Sequence, residues 1–252
     1  MSNNRAEGTA DAGSVQTATP VTPRVLVFFD YACQFCYLDW PRFKRLRADR
    51  DAELYLVPFE LRPALSAEGA PVSELGAGHS ERVEEFMQRM AREAAMDLTF
   101  PAFVPNTHHA LALGEFARDL GPEAHEAIHE AIFSAYSARS EDIGSQEVLL
   151  RIAEEHSLDG SEVASAFAES RYDERLHQFR HLALELGISA TPSALICNEL
   201  LIGTRPYEVL EASLERCVVD ALNIADVVGA ETGDGEVTAS TAAEGSPATI
   251  DR

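Results

Sequence analysis

The pattern of hydrophobic positions places strand-like segments at both ends of a long helical stretch. Val25–Phe29 is a continuous apolar run, which is typical of a strand buried on both faces. A helical pattern follows to about Ala48, and a second apolar run occupies Glu53–Phe59. A short helix between two strands predicts parallel neighbours. We therefore expect a βαβ unit within residues 23–65.

From about Ser80 to Gly187, apolar residues recur only at helical spacing. Residues that commonly cap helices mark several of the expected helix starts, among them Ser80, Ser145 and Ser161. The pattern predicts helices alone in this stretch, as an all-helical insertion domain at residues 66–187.

Strand signals return after the helical stretch. Residues 193–197 and 200–202 are mostly apolar, and Asn198-Glu199 between them predicts a tight hairpin turn. Tyr207 to about Leu222 has the spacing of a final amphipathic helix. We assign residues 188–222 to the same α/β domain as residues 23–65.

Both ends of the chain are poor in apolar residues. Residues 1–22 are small and polar, and residues 223–252 are rich in Gly, Ala, Thr, Ser, Asp and Glu. Such compositions predict a disordered N-terminal tail and a disordered acidic C-terminal tail. The N-terminal stretch has no apolar segment like that of a signal peptide, and no apolar run is long enough to span a membrane. We therefore expect a cytoplasmic protein.

The charge of the chain restricts its partners. Asp and Glu outnumber Lys and Arg by 42 to 20, and the formal net charge is -22. A surface of this sign repels nucleic acid and anionic lipid, so we expect neither nucleic acid nor a membrane as a partner. Two interpretations of the excess stay open: an adaptation for solubility, and an acidic face that selects basic clients.

Two cysteines in a CxxC spacing follow the first predicted strand. Cys33 lies where the helix should begin, and the free N–H groups and the dipole there favour a thiolate. We expect a lowered pKa for Cys33, with Cys36 as the thiol that resolves a mixed disulfide. The pair predicts a thiol–disulfide oxidoreductase that needs no metal or organic cofactor. Zinc binding is the alternative, but it requires two further ligands.

Three other residues could join this chemistry. Asp30 precedes Cys33 by three positions and is either a proton relay or a turn residue. Cys197 and Cys217 fall on a predicted strand and on the helix that should cover it. We expect two buried free cysteines there rather than a disulfide.

Several segments together resemble one known family. Asp30 to Tyr37 (DYACQFCY), Pro58 to Pro63 (PFELRP) and Pro105-Asn106-Thr107 are similar to the FrnE-like group of DsbA-family oxidoreductases. With Thr191-Pro192 before the hairpin, they indicate an α/β protein: a thioredoxin-like fold with an all-helical insertion domain. The resemblance implies that Pro192 is a cis-proline facing the dithiol, with Thr191 offering backbone groups to an extended client.

The resemblance also implies substrates and donors. Protein or small-molecule disulfides and thiols would be the partners, with glutathione or a thioredoxin-type protein as a candidate electron donor. Gln34 and Phe35, between the cysteines, are expected to contact substrate. Gln34 stands where the FrnE-like pattern usually has proline, and the residues between the cysteines tune the redox potential. The direction of exchange, as oxidase, isomerase or reductase, therefore stays open.

Two alternative functions follow from the same architecture. A glutathione-dependent isomerase or a kappa-type glutathione transferase-like enzyme would need one nucleophile and no resolving thiol. A chaperone-like binding module would use the thiols for structure only. Cys36 separates the first alternative from thiol–disulfide exchange.

Overall fold

The computed structural model describes residues 22–217. Three predicted features lie outside this range: nearly all of the N-terminal tail, the whole acidic C-terminal tail, and the end of the last helix. Residues 22–217 form one compact unit. The proposed division into a thioredoxin-like domain and an insertion domain therefore stays a prediction.

A four-stranded mixed sheet lies at the centre of the fold. The strands of the described residues are β1 (Arg24–Phe29), β2 (Glu53–Pro58), β3 (Ala70–Pro71), β4 (Phe103–Val104), β5 (Ser193–Ile196) and β6 (Glu199–Ile202). The strand order is β2-β1-β5-β6. β1 pairs in parallel with β2, as expected for a βαβ unit, and β5 pairs antiparallel with both β1 and β6.

Helices surround this sheet, and most of the chain between β2 and β5 is helical. They are α1 (Gln34–Arg50), α2 (Val72–Leu75), α3 (Glu81–Glu93), α4 (His108–Leu120), α5 (Pro122–Ser137), α6 (Gln146–Glu155), α7 (Gly160–Ala168), α8 (Asp173–Glu185) and α9 (residues 207–217). No helix within residues 22–217 has the length and apolarity that crossing a bilayer requires.

Three details of the predicted pattern are wrong. The stretch expected to be helical throughout contains β4, which pairs with β3 in a separate two-residue ladder that is too short to give a periodic signal. α7 begins at Gly160, because the Asp159 carboxylate caps it by accepting backbone N–H bonds. The β5–β6 turn is Cys197-Asn198 rather than Asn198-Glu199, and Cys197 has a φ of 52°.

The hydrophobic core has two parts, one on each face of the sheet. The larger cluster joins β1, α1 and α9 to the helices of the insertion, with Phe29, Leu46 and Ile132 among its buried members. The smaller cluster packs α8 against the opposite face, around Phe28 and Val57. Each fully buried side chain of this size contributes about 1.5–3 kcal/mol. The larger cluster therefore serves the sheet and the insertion together.

The expectation of two buried free cysteines near the C-terminal end is wrong. Cys197 and Cys217 form a disulfide, with their Cα atoms 5.9 Å apart, a spacing usual for such a bond. Cys197 is exposed because it lies in the turn of the hairpin rather than in β5. From the turn it reaches Cys217 on α9, and the bond joins this helix to the edge of the sheet.

Candidate active site

The two cysteines of the CxxC segment lie at the start of α1, directly after β1. Cys33 is the N-cap residue of this helix, and its backbone N–H donates to the Asp30 carbonyl oxygen at 2.9 Å. Both sulfurs are free thiols. Cys33 is half-buried, whereas Cys36 is only 5% exposed because it faces the core. A visiting disulfide can therefore reach Cys33 first.

The two thiols have opposite pKa shifts. The Cys36 thiol, as a hydrogen-bond donor to the sulfur of Cys33, lowers the pKa of Cys33, and the backbone N–H of Cys36 adds to this effect against the cost of burial. Burial raises the pKa of Cys36 well above its usual value, and the neighbouring Cys33 raises it further. Cys33 is thus the better nucleophile of the pair, and Cys36 keeps its proton.

The start of β5 lies against Cys33. The Thr191–Pro192 peptide bond is cis, as the resemblance implied. The Cys33 thiol donates to the Thr191 backbone oxygen, with Sγ and O 3.3 Å apart. The Thr191 hydroxyl is buried and has no hydrogen-bond partner among residues 22–217. It is the next group after Cys36 to lower the pKa of Cys33.

Asp30 lies beneath the dithiol and is 1% exposed. One carboxyl oxygen accepts the Ala32 N–H at 2.8 Å, and the other accepts the Leu61 N–H at 2.7 Å and the Thr107 hydroxyl at 3.2 Å. Burial raises the pKa of Asp30 to about 6, although these donors oppose the shift. No direct hydrogen bond joins this carboxyl to Cys33 or Cys36, so any proton relay through Asp30 would need an intervening water.

A cleft of about 270 Å³ opens beside Cys33. Its walls come from the start of α1, from the loop after β2 and from the insertion, and they include Cys33, Phe35, Arg62, His79, Phe100 and Tyr136. Phe35 is half-buried and reaches the cleft. Gln34 also borders the cleft but is only 7% exposed, and its amide donates to the Thr99 backbone oxygen at 2.5 Å. Gln34 therefore ties α1 to the insertion.

The dithiol has no third metal ligand within the described part of the chain. No group of three or more His, Cys, Asp or Glu side chains among residues 22–217 is placed to hold a metal ion.

A family comparison matches this geometry. The model of the DSBA-like thioredoxin domain family matches residues 24–215. The chain belongs to the DSBA-like thioredoxin domain family. The expected fold, a thioredoxin-like α/β domain with helices inserted, is thereby confirmed.

One curated protein and several solved structures are similar to this DSBA-like chain. Uncharacterized protein YwbO of Bacillus subtilis (strain 168) is 28% identical over 197 residues, which are 77% of this chain and 96% of YwbO. The probable DsbA oxidoreductase SCO1869 of Streptomyces coelicolor has a TM-score of 0.70 at 23% identity, with 77% of this chain and 89% of that chain covered. A 2-hydroxychromene-2-carboxylate isomerase has a TM-score of 0.64 at 20% identity, with coverages of 80% and 98%.

Sequence reasoning missed a buried contact under the dithiol turn of this DSBA-like domain. The Tyr31 hydroxyl lies 3.2 Å from Nδ1 of His129 on α5, 98 positions away in the chain. Gly114 on α4 leaves room for that hydroxyl, since a Cβ atom there would lie 2.7 Å from it. Sequence spacing carries no signal for a contact of this kind. Thr107, which donates to Asp30, was at least marked by the Pro105-Asn106-Thr107 segment.

Proposed function

We propose that this DSBA-like protein is a thiol–disulfide oxidoreductase that exchanges disulfides with protein or small-molecule substrates through Cys33 and Cys36. The observation that carries the proposal is the unequal environment of the two thiols. Cys33 is accessible at a helix N-terminus with a lowered pKa, and Cys36 is buried with a raised pKa. An attacking and a resolving thiol need this difference.

The exchange proceeds in two steps. In the reducing direction, the Cys33 thiolate attacks one sulfur of a substrate disulfide, and the other substrate sulfur leaves and takes a proton from water. Cys36 then loses its proton and attacks Cys33 in the mixed disulfide, which releases the second substrate sulfur as a thiolate that takes a proton from water. Two electrons pass to the substrate, and a Cys33–Cys36 disulfide forms. Asp30, with its pKa near neutrality, is the proposed acceptor of the Cys36 proton through a water.

The cleft beside Cys33 supplies the proposed substrate contacts. Phe35 offers an aromatic surface at the cleft, and the Thr191 carbonyl, which precedes cis-Pro192 and β5, lies 3.3 Å from the reactive sulfur. An extended client would pair with the backbone there, a common mode of peptide recognition. The burial of Gln34 and its bond to Thr99 favour a structural role for its side chain over direct substrate binding.

Substitution of each cysteine tests the proposal. We expect Cys33→Ser to abolish the reduction of insulin and of small disulfides. Cys36→Ser should instead accumulate a mixed disulfide with substrate, visible by mass spectrometry. The matched control is Cys197→Ser with Cys217→Ser, which removes two cysteines that do not line the dithiol cleft and should leave exchange intact. Full activity of the Cys33→Ser variant would refute the proposal.

The same variants address the glutathione-dependent alternative. The similarity to the isomerase concerns the fold alone, and an isomerase or transferase of this kind would need no resolving thiol. Undiminished multiple-turnover activity of Cys36→Ser with glutathione would favour that alternative. The burial of Cys36 next to the reactive sulfur supports the dithiol mechanism.

The donor and the compartment are parts of the proposal. Glutathione or a thioredoxin-type protein would return the dithiol to its reduced form in a reductase. The cytoplasm is the proposed compartment, but disulfides such as Cys197–Cys217 persist more readily in oxidising surroundings. Labelling of free thiols directly in lysed cells would show whether this bond is formed there.

A further inference from the structure

A second, more open groove adjoins the dithiol cleft. It has a volume of about 510 Å³ and is lined by Phe35, Arg82, Val83, Glu85, Phe86 and Arg89. Phe35 lines the cleft as well, so the groove continues outward from the reactive sulfur. A chain bound at Cys33 would therefore reach α3 after a few residues, at about 3.3 Å per extended residue.

The groove side of α3 combines aromatic surface with positive charge. Arg82, Phe86 and Arg89 follow one another at i, i+4 and i+7, so they share a face. Met87 and Met90, on another face, are buried in the core. The Phe86 ring is 36% exposed, and its centroid lies 6.4 Å from that of Phe35. This face of the helix is thus open to a partner.

The two arginines of the groove differ from most of the others. Most arginines within residues 22–217 form an ion pair with Asp or Glu. Arg82 and Arg89 form none with any residue of that range, and Arg89 lies over the Phe86 ring at 5.4 Å. One carboxylate, Glu85, also lines the groove. The groove nevertheless carries a net positive charge in a chain whose formal net charge is -22.

We propose that this α3 groove docks client polypeptides that carry an apolar residue next to their reactive cysteine and an acidic residue a few positions away. The apolar side chain would pack on Phe35 and Phe86. The carboxylate would pair with Arg82 and Arg89, whose guanidinium groups match its planar geometry. This inference rests on the proposed function, because it supplies a client preference for the dithiol site. It also runs opposite to the preference for basic clients that the overall charge would suggest.

A matched series of peptides tests the groove. Each peptide contains one cysteine followed by phenylalanine, and then Glu, Gln or Lys at the third to fifth position. The cysteine carries thionitrobenzoate in a disulfide, and reduced full-length protein releases this coloured thiolate in a single turnover. We expect the Glu peptide to react about threefold faster than the Gln peptide, the size expected of one or two exposed ion pairs, and the Lys peptide to react more slowly.

Variants on the same helix provide the comparison. Arg82→Gln with Arg89→Gln should bring the Glu-to-Gln rate ratio close to one. Arg92→Gln removes one positive charge from an exposed position of α3 outside the groove and should keep the wild-type ratio. A ratio unchanged in the double variant, or reduced equally by Arg92→Gln, would overturn the docking proposal.

The wild-type rates separate the two proposals. Absence of thionitrobenzoate release from every peptide would refute thiol–disulfide exchange itself. Ready release at equal rates from all three peptides would refute only the proposal that the α3 groove docks acidic clients. This result is expected if the acidic C-terminal tail of the chain occupies the groove instead.

Discussion

The Sγ atom of Cys33 lies 3.3 Å from the backbone oxygen of Thr191, although 158 positions separate the two residues. Cys33 belongs to the first βαβ unit, and Thr191 follows the whole helical insertion. Because β5 pairs with β1, the start of the returning strand is brought to the helix that carries the dithiol. The reactive site therefore exists only when both ends of the interrupted fold have joined.

Replacement of Thr191 by valine should raise the pKa of Cys33. The Thr191 hydroxyl is buried and has no hydrogen-bond partner in the described chain while Cys33 is a thiol. As a donor to the ionised sulfur it lowers the pKa of Cys33, second to the Cys36 side chain. Loss of one hydrogen bond to a charged group, about 1.5 kcal/mol, corresponds to a pKa increase of about one unit. The pH dependence of alkylation by iodoacetamide measures this pKa.

The control for this substitution is Thr191→Ser, which keeps the hydroxyl and loses only a methyl group. We expect its alkylation profile to match that of the wild-type protein. If the valine variant also matched the wild type, the hydroxyl would have no part in stabilising the thiolate.

Replacement of Asp30 by asparagine should change the two cysteines in different ways. The pKa of Cys33 is already lowered, chiefly by the hydrogen bond from Cys36, and the negative charge of Asp30 opposes this effect. Removal of the Asp30 charge should therefore lower the pKa of Cys33 further. The same change removes the proposed proton acceptor for Cys36 and should slow resolution of a mixed disulfide about a hundredfold. Rapid-quench mass spectrometry separates the attack from the resolution.

Asp39 offers a control for this prediction. Its pKa is also raised to about 6, chiefly by burial, but its carboxylate bonds to Arg42 and Thr204 rather than to the dithiol turn. Asp39→Asn should leave the resolution rate within about twofold of the wild-type rate. Slowing of the same size in both variants would mean that general damage to α1, rather than proton transfer, is responsible.

Local patterns predict the parts of this site that lie close together in the chain. The apolar run of β1, the CxxC spacing and the helix that follows place Cys33 and Cys36 correctly because each signal is contained within a few residues. Contacts between distant segments have no such signal. The bond from Gln34 to the Thr99 carbonyl joins residues 65 positions apart, and no local pattern around Gln34 indicates it.

A shift of one residue explains the error at the second cysteine pair. The prediction placed Cys197 inside a strand, where it would be buried and free. The structure ends β5 at Ile196, so Cys197 enters the turn and becomes exposed. Turn boundaries depend on strand pairing, which the local sequence does not specify. Because Cys197 lies in the turn and not in the strand, it can bond to Cys217.

Removal of the Cys197–Cys217 disulfide should destabilise the protein without affecting exchange. The bond closes a loop between residues 20 positions apart, and the entropy of such a loop in the unfolded chain corresponds to about 3 kcal/mol. We expect the double serine variant to lose about this free energy of unfolding in urea without reductant. Wild-type protein in excess dithiothreitol should show the same loss. A variant as stable as the wild type would contradict the prediction.

His108 at the start of α4 joins three segments of the fold. Its ring lies 3.4 Å from Glu60 in the loop after β2 and 3.0 Å from Asp173 at the start of α8. The hydrogen bond to Glu60, with the one to Asp173, raises the pKa of His108 to about 9 against the cost of burial. Protonated His108 therefore stabilises the folded state.

The sign of the pH dependence follows from this increase. Because the folded pKa of about 9 exceeds the reference value of 6.5, the contribution is complete below about pH 6.5 and is lost as the pH rises through 9. Allowing for the partial exposure of the ring, we expect His108→Gln to cost about 1–2 kcal/mol near pH 6 and little near pH 10, measured by urea unfolding. His109→Gln is the control, because burial shifts the pKa of His109 in the opposite direction, so its effect on stability should not fall away as the pH rises from about 7 to 10. A cost for His108→Gln that stayed constant over this range would show that the ring contributes by packing and not by its charge.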